Sequence, residues 1–148
     1  MITEDYVSFE TAKLLKEKGF DGDTFCEYAD KEGVVEEWYD EYRERMMHFD
    51  YNYGTLITPP TEPQDKYRVY GDTIPAPSLA LAMKWLREIH HLFIDVDYNE
   101  ENGNTPYFTL ITDLKTKEYI SGRSVDVFQS TYELAAEAAI KYCLENLI

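Results

Sequence analysis

The sequence predicts an α+β fold, a small antiparallel sheet of about three to five strands packed by two to four helices. Apolar residues recur at helical spacing in four separate segments. Two others, 92–98 and 105–112, read as strands, and the polar run 99–104 between them is a turn. At 148 residues the chain fits one globular domain, 1–148, and a chain of this size buries roughly 70% of the surface it exposes when unfolded.

The elements follow in order. In 8–19, Ser8 offers a side-chain oxygen to the free amides of a helix start, Phe9, Ala12, Leu14 and Leu15 form the apolar face, and Gly19 supplies a left-handed stop. Residues 24–28 read as a short strand. In 34–49, Val35, Trp38, Tyr39, Tyr42, Met46 and Phe49 keep helical spacing, whereas the Val34-Val35 start suits a returning strand equally well. Helix is the favoured assignment there and a hairpin the alternative. From 50 to 73 the composition shifts to Tyr, Gly, Pro and Asp, and Pro59, Pro60 and Pro63 forbid a continuous helix. A long connection is expected, with a short extended piece at 67–70.

Pro75 and Pro77 hold the next approach extended, and Ser78 stands at an N-cap position. Leu79, Ala82, Met83, Leu86, Ile89 and His90 then recur at helical spacing, with Lys84, Arg87 and Glu88 toward the opposite side. The helix runs into 92–98, where Leu92, Ile94, Val96 and Tyr98 alternate with Phe93, Asp95 and Asp97. After the returning strand, a third extended segment is expected at 118–121, with 125–128 continuing it or pairing separately. Ser130 and Glu133 fit a capping box for the last helix. Its expected core face is Leu134, Ala135, Ala138, Ala139, Tyr142, Cys143 and Leu147, and its expected solvated ladder is Glu133, Glu137, Lys141 and Glu145.

The formal net charge is −15, from 29 acidic residues against 14 Lys and Arg. That field repels phosphate backbones and anionic lipid surfaces, which argues against direct nucleic acid binding. It keeps a domain soluble, and it also suits a basic protein partner. Cys26 and Cys143 lie far apart and lack metal-knuckle or redox-pair spacing, so both are expected reduced and buried. The start Met1-Ile2-Thr3-Glu4-Asp5 has no apolar signal core, and no run reaches the roughly 18 apolar residues of a membrane span. A soluble cytoplasmic monomer or homodimer, off the membrane, is expected.

Three pieces, YVSFETAKLLKEKGF, IPAPSLALAMKWLREIHHLFI and YELAAEAAIKYCLENLI, together resemble a group of short acidic uncharacterised proteins from gut anaerobic bacteria and their phages or mobile elements. The resemblance implies a phage or mobile-element context and an accessory role such as host interference. It brings no activity, and 21–73 falls outside it.

His90, His91, Asp95 and Asp97 are the one local set of metal-ligand types, and they define the alternative of a small metal-dependent hydrolase. Adjacent helical histidines project about 100° apart, so both cannot easily reach one ion. The competing reading is that the imidazoles complement a helix C-terminus. Ser8, Ser78 and Ser130 are accounted for as caps, no nucleophile elbow or phosphate-binding glycine loop occurs, and a non-enzymatic protein without a cofactor is expected.

With 13 tyrosines, the acidic aromatic stretch is the favoured functional region, and Glu37, Trp38, Tyr39, Glu41 and Tyr42 are the candidate partner-binding residues. Rings give contact area at low entropic cost, and carboxylates pair with Arg or Lys of another protein. The same rings would otherwise complete a core. Charge reversal by Glu37→Lys with Glu41→Lys is expected to abolish partner capture in a pull-down while circular dichroism stays unchanged; undiminished capture counts against this face.

Overall fold

The computed structural model describes residues 2–30, 53–58, 73–120 and 128–148, and the backbone of 34–40, 45–51 and 66–69. Among the described residues, three helices and three small antiparallel sheets of three strands each make an α+β fold. The chain forms two compact units, Met1–Gly22 with Ser78–Ile148, and Asp23–Pro77.

The first unit holds α1 (Phe9–Glu17), α2 (Leu79–His90), α3 (Tyr132–Asn146) and the sheet of β7 (Leu92–Tyr98), β8 (Tyr107–Asp113) and β9 (Glu118–Tyr119). Ser8 caps α1 as expected, its Oγ accepting from the Thr11 amide at 3.2 Å. At the other end Gly19, at φ +85°, turns the chain. The Phe20 amide then donates to Leu15 O at 2.9 Å and the Gly19 amide to Lys16 O at 3.1 Å, the paired bonds of a left-handed helix stop.

Ser78 likewise caps α2, accepting from the Leu81 amide at 3.3 Å. The buried face is Leu79, Ala82, Trp85 and Leu86. Trp85 was not among the expected core residues, while Ile89 was and is 58% exposed. Ile89 lies between Ala82 and Trp85 in angle but in the last turn of the helix. The helix ends on His91 at φ 59°, whose amide donates to Leu86 O and whose carbonyl accepts from the Leu114 amide at 2.8 Å. One residue closes the helix and opens the sheet.

In β7, Leu92 and Ile94 are buried, Val96 is half-buried and Phe93, Asp95 and Asp97 are exposed, the alternation the sequence predicts, but it fails at the strand end, where Tyr98 is 56% exposed. All seven residues pair with β8, from Leu92 opposite Asp113 to Tyr98 opposite Tyr107. The turn between them holds one 3₁₀ turn, Glu100–Asn102, with the Asn99 side chain accepting from the Glu101 amide at 3.1 Å. β9 is short, facing Thr112 and Asp113. The expected strand at 125–128 lies outside the described residues except for Phe128.

α3 packs against α1, α2, β7 and β8. Its cap is Thr131, which accepts from the Leu134 amide at 3.2 Å, in place of Ser130. Gln129 still pairs with Tyr107 in an antiparallel bridge, which keeps the chain extended and delays the helix. The buried face is Ala135, Ala136, Ala139, Ile140, Cys143 and Leu144, while Leu134 is 49% exposed. Contact on several sides turns the buried arc away from Leu134. The ladder is not purely solvated either. Glu137 Oε1 accepts from the Ser8 amide at 3.0 Å and from the Ser8 and Thr11 hydroxyls at 2.5 Å each, placing a carboxylate at the positive end of α1.

The second unit carries β1 (Cys26–Ala29), β2 (Val34–Asp40), β3 (Arg45–Tyr51), β4 (Leu56–Ile57), β5 (Lys66–Val69) and β6 (Thr73–Ala76) in two sheets, ordered β4-β1-β6 and β3-β2-β5. Pro75 sits on the edge strand β6, where its missing amide is tolerated. The favoured helix over 34–49 is corrected to an antiparallel strand pair, with Val34 opposite Tyr51 and Asp40 opposite Arg45. β-Branched Val34 and Val35 and aromatic Trp38, Tyr39 and Phe49 favour strand, and the helical spacing among them is coincidental. The connection expected over 50–73 contains β4 and β5.

Because Ala139 is fully buried, Ala139→Leu is expected to cost about 1–3 kcal/mol by overpacking. Thermal melting should show a fall of several degrees, against little change for Ala80→Leu at an exposed position of α2.

Candidate functional site

The β7-β8-β9 sheet has two faces of opposite character. On one, Ile94 and Ile111 pair across the strands at 4% and 1% exposure, with Thr109 buried beside them. On the other, the register sets Phe93 opposite Thr112, Asp95 opposite Leu110 and Asp97 opposite Phe108, and brings Tyr119 of β9 beside Thr112. Phe93 and Leu110 are each 38% exposed and Tyr119 72%. Phe108 meets Phe128 with ring centroids 5.6 Å apart, and Phe128 is itself exposed.

Carboxylates thus face apolar side chains on this surface. Asp95 and Asp97 make no ion pair among the described residues; Asp97 Oδ1 accepts from the Tyr98 amide at 2.7 Å. An apolar patch rimmed by charge of one sign excludes water at its centre and selects the sign of what approaches. Sequence reasoning passed over Phe93, Leu110 and Tyr119 as site residues, although the two-residue period already set Phe93 beside Asp95 and Asp97.

Of the residues singled out from sequence, Glu37, Trp38 and Tyr39 lie on β2, the central strand of its sheet. The register sets Glu37 between His48 of β3 and Arg68 of β5. Glu41 and Tyr42 lie outside the described residues.

His90, His91, Asp95 and Asp97 are not brought together, and among the described residues no three His, Cys, Asp or Glu side chains gather to hold a metal ion. Instead the His90 ring meets Trp85 at 4.5 Å between centroids, and Trp85 meets Phe20 at 5.6 Å, both edge-on. His90 Nε2 is buried without a hydrogen-bond partner among the described residues. Cys26 and Cys143 are free and buried, and burial pushes the Cys143 thiol up to about 12, which makes it a poor nucleophile. A groove along α1 and α3, lined by Glu10, Lys13, Leu14, Glu17, Lys141 and Glu145, is bridged by Lys141, 3.4 Å from Glu10 and 4.0 Å from Glu145. That is a surface ion-pair network.

Comparison with protein families, with curated proteins and with solved structures finds no match.

Burial, then the charges of His91 and Lys115, lower the affinity of His90 for a proton below its ordinary value of 6.5. The unfolded chain therefore binds that proton more readily. The stability contributed by neutral His90 is complete above pH 6.5 and is lost as the pH falls from there toward the folded-state value. Melting temperatures of the wild type and His90→Phe, followed from neutral to mildly acidic pH, should show the smaller loss in the variant; parallel curves would refute the assignment.

Proposed function

We propose that this chain is an acidic protein-binding module that acts through the outer face of the β7-β8-β9 sheet on another protein with a basic and apolar surface. The observation that carries the proposal is the pairing of Asp95 with Leu110 and Asp97 with Phe108 on an exposed face that also presents Phe93 and Tyr119. Aromatic and aliphatic groups at the centre supply binding energy by leaving water. The two carboxylates, within a chain of net charge −15, speed encounter with a cationic partner and reject nucleic acids and anionic lipids. No cofactor is needed for such a role. In the phage or mobile-element setting that the sequence resemblance implies, the partner is a cytoplasmic host protein, and the module blocks its basic surface.

Affinity capture with the tagged full chain, at low and high salt, tests this. Wild type is expected to retain a defined partner at low salt and release it at high salt, since screening weakens exposed charge pairs. Phe93→Ser with Leu110→Ser, both at exposed positions, should reduce capture by about tenfold or more with unchanged circular dichroism. Undiminished capture by that double variant overturns the assignment of the surface.

A further inference from the structure

The proposed surface ends at a strand with one free side. In the order β7-β8-β9, β7 is terminal and pairs along its whole length with β8, and among the described residues no strand lies on its other side. Two hydrogen bonds fix which peptide groups that side presents. The Leu114 amide donates to His91 O and the Asn99 amide to Pro106 O, each at 2.8 Å. Both belong to hydrogen-bonded pairs in line with the β7-β8 register, and such pairs alternate along an antiparallel ladder. Phe93, Asp95 and Asp97 therefore turn their peptide groups toward β8, and Ile94 and Val96 turn theirs outward.

Edge strands are commonly blunted by proline, by lysine, by a bulge or by shortness. β7, LFIDVDY, runs for seven residues in an unbroken register and has neither proline nor lysine. Asp95 and Asp97 do guard it against one occupant. In the registers that set Ile94 or Val96 against Val96, a second copy of β7 would set Asp95 against Asp95 or against Asp97, and opposed like charges destabilise a strand pair; with Ile94 against Ile94, Asp95 would meet Phe93 instead. The same two carboxylates favour a strand of opposite charge. On the free side they occupy the positions between outward hydrogen-bonding residues, where an added antiparallel strand brings its side chains closest.

We propose that the free edge of β7 binds an extended basic segment of the partner as an added antiparallel strand. Lys or Arg at two alternate positions lie opposite Asp95 and Asp97, and apolar residues between them extend the inner face. The Tyr98 amide is held by Asp97 Oδ1, so the new ladder runs over Ile94 and Val96. This mode rests on the protein-binding reading and names the chemistry of its partner: main-chain bonds give affinity and alternate side chains give selectivity.

The test uses the full chain and labelled peptides of about eight residues: one alternating Lys with Val, one of the same composition with its lysines in a block, and one alternating Glu with Val. Fluorescence anisotropy is expected to show binding of the alternating lysine peptide alone, and hydrogen exchange to slow at the Ile94 and Val96 amides. Val96→Pro removes an outward amide and no β7-β8 bond, so it should abolish binding with the fold intact. Asp95→Lys with Asp97→Lys should weaken binding about tenfold or more. Should Val96→Pro unfold, the exchange pattern and the aspartate variant decide the matter. Equal binding of the block peptide, or unchanged exchange at Ile94 and Val96 on saturation, overturns the added strand. If Phe93→Ser with Leu110→Ser still abolishes partner capture in that event, the face remains the binding surface and only the edge mode has failed.

Discussion

The close approach of α3 to its neighbours is the constraint on which the first unit depends. This helix touches α1, α2, β7 and β8, and Ala135, Ala136 and Ala139 are at most 1% exposed. A helix meets several elements at once only where its side chains are short, because interiors pack near the density of organic crystals. Ile140 and Leu144 fill what the alanines leave. The carboxylate of Glu137 then reaches the start of α1, where its Oε1 accepts hydrogen bonds from two hydroxyls and one amide. Apolar contact and helix-end electrostatics thus converge on one helix, which leaves its alanine positions little room for added volume.

Function in the proposed sense is a consequence of that packing. Once α3 covers the inner face of the sheet, the alternation of β7 and β8 leaves Phe93, Asp95, Asp97, Phe108 and Leu110 together on the outside. The outer face needs no special geometry of its own. It inherits rigidity from Ile94 and Ile111, the buried pair that lies between the outward pairs of Phe93 with Thr112 and Asp95 with Leu110.

Features that depend on a few neighbouring residues were legible in the sequence. Ser8, Ser78 and Gly19 act as caps and stop because the groups they satisfy are within a turn of them, and the period of β7 is local by nature. Features set by distant partners were not. The segment 34–49 offers helical spacing and strand-forming side chains at once, and only the pairing of its first half with β3 and, farther along the chain, with β5 decides between them. The α3 start moved by one residue because Gln129 is held by Tyr107, remote in sequence. Glu137 read as one rung of an exposed ladder because its partners, Ser8 and Thr11, lie at the other end of the chain. The outer face was legible as a pattern, but its exposure required knowing where α3 lies.

The corner at His91 has a consequence for how this surface could change over time. Its amide is tied to Leu86 in the helix and its carbonyl to Leu114 in the sheet, so no slack separates α2 from β7. Inserting or deleting one residue there would invert the strand, sending Asp95 and Asp97 inward and Ile94 to water. Substitutions can retune the outer face freely, whereas length changes at the corner cannot be absorbed. The surface is therefore open to drift in its chemistry and closed to drift in its frame.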